Sequence, residues 1–525
     1  MDPGPRMDGP STGPAHHVAP RSVGSTDAPP GARGDNRARG DSRARGTRRL
    51  LIIPAAGLAA LAIALVLVIG SGFVPRTEGP GQAPATASPQ PAGGPPASLG
   101  LEALAPVPSA PRSARPATTA APTPGPNLDP SEVYGPPAPV VNSGLRPSAR
   151  LAAELKRTVN AARKRYSLPG VSVAILWPDG RLWMGAAGYA DLEAGRGVTA
   201  ETEFSIGSIT KTFTAALILQ LAEGGVLSLD DPVSKWVPSL PAGPAPGTAQ
   251  PGATVTAPAS LLGPGITLRR LLDHTSGLDD FFGSGALDNA LRRPKTRTWT
   301  PAEVLRYAGP PRTSPGTAWY YSNTNFVLLG LVAERATGKS LTELYRERFV
   351  EPFGLRSTHL QGYEPPVGPI SHGYDFYSLA PAAAAIDWSD GTSIMPFTAV
   401  ATAAWAAGGL ASTAADLARW ARALYGGSAL SKASLRAMES LAETQRLKAD
   451  LSYGFGLMRM AIGRFATLGH SGRLGGYRSA MRYLPDQGVA VVVLTNQDRY
   501  DPDRIVRELL DTAMPANPGP ARVRI

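Results

Sequence analysis

Phe204-Ser205-Ile206-Gly207-Ser208-Ile209-Thr210-Lys211-Thr212-Phe213-Thr214-Ala215-Ala216-Leu217-Ile218-Leu219-Gln220-Leu221 passes from a sharp entry into an almost wholly apolar run, stopped by Gly224-Gly225. A helix apolar on every side has no face to give to water, so it belongs at the centre of a domain. Ser208 and Lys211 stand at its start. A spacing of three puts both side chains on one face, one turn apart. There the lysine amine can take the serine's proton. The helix N-terminus adds unpaired backbone N–H groups and a partial positive charge. Both favour an oxyanion beside Ser208 and disfavour a charged Lys211. Eight of the 52 basic residues are lysine, and this one sits between threonines on an apolar helix, where a solvated face does not explain it. Ser-x-x-Lys alone is a cheap pattern, so the decision rests on what accompanies it.

The 525 residues allow a few domains. Of the 53 prolines, 26 lie before residue 147, as do 19 of the 58 glycines. The formal charge of +11 comes from arginine. An Ala/Gly/Pro/Arg bias is what a GC-rich genome imposes, and no RNA- or DNA-binding signature accompanies it, so no nucleic-acid partner is expected. Cysteine is absent, which excludes disulfides, a thiol nucleophile, a lipoprotein anchor and Cys-ligated metal.

Residues 1–49 are polar, Gly/Pro-rich and dotted with arginine, and read as a disordered basic tail. Residues 50–74 carry no charge. As a helix they would run about 37 Å, enough to cross a bilayer. Arginines before this segment and their scarcity just after it place the N-terminus in the cytoplasm. The expectation is an uncleaved single-pass anchor in the cell membrane. Thr47-Arg48-Arg49-Leu50-Leu51 also resembles a twin-arginine signal, which makes secretion after cleavage the competing reading. Residues 75–147 are an extended Pro/Ala-rich linker, fit to hold a domain off the membrane or into a cell wall.

Residues 148–516 read as the folded domain, with 517–525 as a tail. The spacing of Leu151, Leu155 and Val159 predicts a helix. Residues 171–177 and 181–187 predict two strands joined by Pro178-Asp179-Gly180. Two more apolar runs, 477–484 and 489–495, flank Pro485-Asp486-Gln487-Gly488, and a helix over 504–510 follows. The segment between these ends is mostly helix and loop. The expected fold is therefore α+β: an antiparallel sheet from both chain ends, flanking helices and an inserted, mainly helical region. The cleft should lie at their junction.

A serine–lysine pair needs a proton relay to the leaving group, an oxyanion hole and a strand edge to align a substrate. Tyr321-Ser322-Asn323 precedes another apolar helix. A tyrosine hydroxyl near a lysine can be held partly ionised and pass protons, and Asn323 can bond a substrate carbonyl. His470-Ser471-Gly472 follows a short apolar run and precedes the 477–484 strand. Its small residues let a substrate backbone approach a sheet edge, and the Arg473 N–H would face that of Ser208 as an oxyanion hole. Each triplet alone is weak: a buried tyrosine beside a capping asparagine, and a turn between strands, explain them adequately.

Their order and spacing resemble the serine β-lactamase and penicillin-binding superfamily. The likeness is to the branch with class C β-lactamases, D-alanyl-D-alanine carboxypeptidases and related esterases. Further stretches resembling that branch are Ile266-Thr-Leu-Arg-Arg-Leu-Leu-Asp-His-Thr-Ser-Gly-Leu278, Gly408-Gly-Leu-Ala-Ser-Thr-Ala-Ala-Asp-Leu417 and Tyr453-Gly-Phe-Gly-Leu457. The resemblance implies Ser208 as acylated nucleophile, Lys211 as its proton partner and Tyr321 as relay. It implies Asn323 on the acyl side chain and His470, Ser471 and Gly472 at the substrate's carboxylate end. The Ser208 and Arg473 N–H groups would form the oxyanion hole, with no metal and no cofactor. His274 belongs to a structural motif of that branch, and His359 and His372 read as structural or surface residues.

Class C β-lactamases usually carry lysine where His470 stands, and a histidine is largely neutral at pH 7. That departure leans away from β-lactam hydrolysis and toward a D-alanyl-D-alanine peptidase or an esterase, with Arg473 or Arg478 as replacement charge. An esterase or β-lactamase on the same machinery is the alternative, and a non-catalytic sensor of penicillin or wall fragments is another. The 241–265 stretch reads as an insertion that could shade the cleft or be an idle solvated loop, the latter being the preferred reading. An uncleaved anchor predicts that the full chain stays with membranes through an alkaline carbonate wash and keeps its N-terminus, while deletion of residues 1–74 releases it. Recovery of a soluble chain beginning after residue 74 would establish cleavage instead.

Overall fold

Gly170-Val171-Ser172-Val173-Ala174-Ile175-Leu176 is buried along its whole length, a pattern that requires packing on both faces of the strand. The computed structural model describes residues 146–515 apart from 241–242, 245–253, 256–257, 377–384, 441–445 and 449–450. The expected tail 1–49, membrane helix 50–74, nearly all of the linker 75–147 and the tail 517–525 lie outside these residues, as does most of the 241–265 stretch. Among the described residues no helix is long and apolar enough to cross a membrane.

The chain opens with α1 (Ala149–Arg165), followed by β1 (Gly170–Leu176), β2 (Leu182–Asp191), β3 (Arg196–Gly197) and β4 (Phe204–Ser205). The helical middle contains α2 (Thr210–Glu223), α3 (Asn323–Thr337), β5 (His359–Leu360), α4 (Thr398–Gly408), β6 (Leu410–Ser412) and α5 (Ala414–Tyr425). The C-terminal part adds β7 (Arg446–Lys448), β8 (Leu451–Tyr453), β9 (Met458–Ile462), β10 (Phe465–Leu474), β11 (Tyr477–Leu484) and β12 (Val489–Thr495) before α6 (Asp503–Ala513). Nine strands form one antiparallel sheet in the order β7-β8-β9-β10-β11-β12-β1-β2-β3. Its centre joins the two chain ends, with Val171 opposite Thr495 and Leu176 opposite Ala490. The expected α+β fold, a sheet from both ends with a helical insertion, is the fold observed.

Side chains alternate across a strand, so each central strand serves two cores. Val171, Val173, Ile175, Val491 and Val493 pack with Leu155 and Val159 of α1 and Ile505, Val506 and Leu509 of α6. Ala174, Leu176, Ala490, Val492 and Leu494 join the larger cluster that holds Leu417, Trp420 and Leu424 of α5. In α2, every residue from Thr210 to Leu221 is buried. Phe213 stacks on Trp420 of α5 with ring centroids 4.2 Å apart and meets Phe349 edge-on.

A three-stranded sheet, β4-β6-β5, fixes the entry to α2. The Ile206 amide donates to the Leu410 carbonyl at 3.1 Å. Gly207 then turns with φ +52, a left-handed conformation glycine adopts freely. Truncating Phe213 to alanine removes the stacked ring from this centre. A loss of about 3–5 kcal/mol is expected from the denaturation midpoint, and a loss below 1 kcal/mol would mean that α2 is not the hub of the core.

Candidate active site

Gly207–Ile209 forms a 3-10 turn and the α-helix begins at Thr210. Ser208 therefore sits two residues before α2, with Lys211 in its first turn. Lys211 is fully buried. Its Nζ lies 3.1 Å from Ser208 Oγ, 2.7 Å from Asn323 Oδ1 and 2.7 Å from the Ala407 carbonyl. The amide oxygen and the carbonyl can only accept, so each takes an N–H from the amine. The third position faces Ser208, and it is the one place where a proton can change sides. Burial pulls the amine down to about 7 from 10.5, against the opposing pull of the Asp280 carboxylate. An uncharged amine aimed at a hydroxyl is a general base.

The Ala407 carbonyl comes from the end of α4, where helix carbonyls lack intrahelical partners. Trp405 breaks that helix with φ 36 and ψ −120, a conformation costly for a bulky residue. Thr214 Oγ1 donates to Ala406 beside it at 2.7 Å. The sequence carried no sign of this contact, because a backbone carbonyl has no residue signature.

Ser322 is the N-cap of α3 and Asn323 its first residue. Asp280 takes the Asn323 amide N–H at 3.2 Å and its Nδ2 at 2.9 Å. A carboxylate bonds only to the nitrogen of that side chain, which turns Oδ1 toward Lys211. One of the two Nδ2 hydrogens is left for a substrate carbonyl. Asp280 escaped the sequence analysis; its position just after His274-Thr275-Ser276-Gly277-Leu278 was the available signal. Burial pushes the Asp280 carboxyl up, while the Phe282 N–H, Lys211 and Asn323 oppose it.

Burial raises the Tyr321 phenol well above its ordinary value, and the Ser208 side chain opposes that shift. Burial thus favours the neutral phenol, which can relay a proton by taking one as it gives one. Lys211 Nζ lies 4.9 Å from the Tyr321 ring centroid.

His470-Ser471-Gly472 lies inside β10, not in a turn. Strand β9 pairs with β10 only as far as Gly469, so among the described residues the stretch 470–474 has a free edge on that side. A Cβ on Gly472 would fall 2.0 Å from the Ile206 carbonyl, and one on Gly207 would fall 2.8 Å from Arg473 N. Glycine at both positions lets this strand and the Ser208 turn touch.

The side chains of His470 and Ser471 do not present themselves as expected. His470 is fully buried, with Nδ1 2.6 Å from the Ser471 carbonyl and Nε2 3.0 Å from Tyr453 Oη. Burial and the nearby Lys211 push it down to about 3. Ser471 Oγ is bonded by Arg482, which also grips Asp503 through two hydrogen bonds. What this segment offers a substrate is backbone. Arg473 is tied to Asp498 at 2.9 Å, and half-buried Arg478 faces it across the ladder. His359 is buried beside Glu203 and His372 bonds Asp387. No metal-ligating cluster occurs among the described residues.

Comparison with known proteins places this geometry. Residues 155–513 match the Beta-lactamase family model. Penicillin-binding protein 4* of Bacillus subtilis (strain 168) is 26% identical over 317 residues, 59% of this chain and 64% of that protein. A D-aminopeptidase of Cereibacter sphaeroides (strain ATCC 17029 / ATH 2.4.9) is 28% identical over 361 residues, 66% of this chain and 60% of that protein. The chain thus spans less than two thirds of the length of these curated relatives. The crystal structure of a D-stereospecific amidohydrolase from Streptomyces sp. superposes with a TM-score of 0.55 at 28% identity, covering 69% of this chain and 98% of that one.

If the neutral Lys211 amine is the base, kcat/KM falls about tenfold per pH unit below pH 7, as the amine takes up a proton. Asp280→Asn removes the negative charge that favours the ammonium form, so the amine loses its proton at lower pH and the acid limb moves down. A limb that stays in place or moves up rules out this coupling.

Proposed function

Because the chain belongs to the beta-lactamase family of serine hydrolases, we propose that it hydrolyses small D-configured peptides through an acyl-enzyme on Ser208, with D-Ala-D-Ala-type peptides as the favoured class. The observation that carries this is the buried Lys211 amine 3.1 Å from the Ser208 hydroxyl. Ser208 gives its proton to Lys211 as Oγ attacks the scissile carbonyl. The Ser208 and Arg473 N–H groups hold the resulting oxyanion. Tyr321 delivers a proton to the leaving amine as the C–N bond breaks and recovers one from the Ser208–Lys211 side. Water then enters along the same path and releases the acid. The free edge at residues 470–474 aligns the substrate backbone, and the spare Asn323 hydrogen takes the acyl-side carbonyl.

At the carboxylate end, Arg473 and Arg478 are the cations this edge carries. A second reading, hydrolysis of esters and of amides without a terminal carboxylate, is favoured by the absence of charge on His470. The proposal also places the domain outside the cytoplasmic membrane, held there by residues 50–74 and facing the cell wall. The length and lack of charge of that segment support this.

Intact-mass analysis of the full chain after incubation with a penicillin, beside Ser208→Ala, tests the assignment. A single adduct on the parent and none on the variant is expected. An adduct that never turns over would indicate a sensor. If no adduct forms and no penicillin is consumed, the D-Ala-D-Ala reading falls. Cleavage of short-chain esters by the parent and not by the variant would then establish the second reading.

A further inference from the structure

A second polar chain runs beside the Ser208–Lys211 pair. Tyr453, at the end of β8, is fully buried. Its hydroxyl lies 3.2 Å from His274 Nε2 and 3.0 Å from His470 Nε2. On the far side of His274, Nδ1 is 3.2 Å from the Ser322 backbone nitrogen and 3.0 Å from Asn325 Nδ2. On the far side of His470, Nδ1 is 2.6 Å from the Ser471 carbonyl.

Every proton in this chain follows by elimination. The Ser322 N–H can only donate, so His274 Nδ1 accepts, and a neutral ring then carries its hydrogen on Nε2. The Ser471 carbonyl can only accept, so His470 carries its hydrogen on Nδ1, and a neutral ring accepts at Nε2. The Tyr453 hydroxyl between them must take a hydrogen bond from His274 and give one to His470. One orientation satisfies all five groups. Reversing any link leaves a buried donor facing a donor, or an acceptor facing an acceptor, and such a mismatch is costly in a dry interior.

We propose that Tyr453 is a positioning residue that holds His470 as a neutral imidazole protonated on Nδ1, so that Tyr321 exchanges protons with Ser208 and not with the histidine beside it. This rests on the acyl-enzyme reading above for its functional consequence and on the hydrogen-bond chain for its geometry. The Tyr321 ring lies 4.4 Å from that of His274 and 6.5 Å from that of His470. A free His470 Nε2 lone pair there would be a competing base. Tyr453 occupies that lone pair. The chain also ties the loop carrying Tyr321, through Ser322, to the strand edge, through Ser471.

Burial opposes the protonation of His470, while its bond to the Ser471 carbonyl favours it. Lys211 stands on α2 and Arg482 on β11, and both lower its affinity for a proton. Tyr321 and Tyr453 present phenols that burial keeps neutral. His274 beyond Tyr453 is itself held well below its ordinary value by burial, Lys211 and His470.

Long-range proton–nitrogen spectra of the full chain labelled at histidine read the tautomers without turnover, with His470→Gln identifying the signal. The parent is expected to show His470 neutral and Nδ1-protonated from pH 8 down to pH 5. In Tyr453→Phe, the loss of a donor to the neutral form raises the proton affinity of His470. Its signals should begin to titrate at higher pH than in the parent. With the dipeptide D-Ala-D-Ala as substrate, this variant should lose about tenfold in kcat while KM stays within about twofold. An Nε2-protonated or cationic His470 in the parent overturns the proposal. So does a Tyr453→Phe protein with unchanged tautomer, titration and kcat. The spectra are repeated on Ser208→Ala. If they agree while Ser208 in the parent forms no penicillin adduct and the parent cleaves no short-chain ester, the acyl-enzyme reading fails and the Tyr453 assignment stands.

Discussion

An amine removed from water is the constraint around which this domain is built. A buried ammonium is costly, and burial tips Lys211 toward its uncharged form. The amine tolerates that position because two obligate acceptors and one hydroxyl enclose it. Those three partners come from three separate segments: the turn before α2, the start of α3 and the end of α4. Each segment has to be rigid for the amine to be held in place. The threonines of α2 contribute to that rigidity. Thr210 Oγ1 donates to the Gly207 carbonyl and accepts from Leu410 N, Thr212 Oγ1 accepts from Trp420 Nε1, and Thr214 Oγ1 reaches Ala406. A helix that reads as apolar in sequence is therefore pinned along one turn by hydroxyls, each with a partner.

The same economy governs the opposite wall. Gly472 and Gly207 are small because two backbones meet there. Ser479 Oγ donates to the Ile206 carbonyl at 2.8 Å, fastening the Ser208 turn to the large sheet. Nucleophile and strand edge are thus joined by backbone and hydroxyl contacts, with no long flexible side chain between them. That is a requirement for holding reacting groups in register.

The parts of this structure legible from sequence are those that residue periodicity encodes. The strands 477–484 and 489–495 were visible as apolar runs either side of Pro485-Asp486-Gln487-Gly488, and they occupy those bounds in the structure. The Ser208–Lys211 spacing was visible because a helix converts a separation of three into contact. What stayed hidden was relational. Leu468-Gly469-His470-Ser471-Gly472 has the glycine content of a turn, yet it continues a strand, because the approach of Ile206 requires a missing side chain there. Asp280 and Tyr453 are ordinary residues in ordinary segments. Their importance comes from partners 43 and 17 residues away, respectively. His470 looked available to a substrate because sequence shows a residue's chemistry and not whether its lone pairs are already spoken for.

The pairing of β1 with β12 has a consequence for how the molecule comes into being. Val171 meets Thr495, so the central seam of the sheet encloses nearly the whole domain in one loop. Closing so long a loop costs entropy before any strand contact repays it, and such non-local pairings form slowly. A ribosome must finish almost the entire domain before the seam can close. Until then, the edge of β1 that β12 will occupy stays open. The chain is thus born with an open strand edge early and its partner last, an interval in which that edge is exposed to pairing elsewhere.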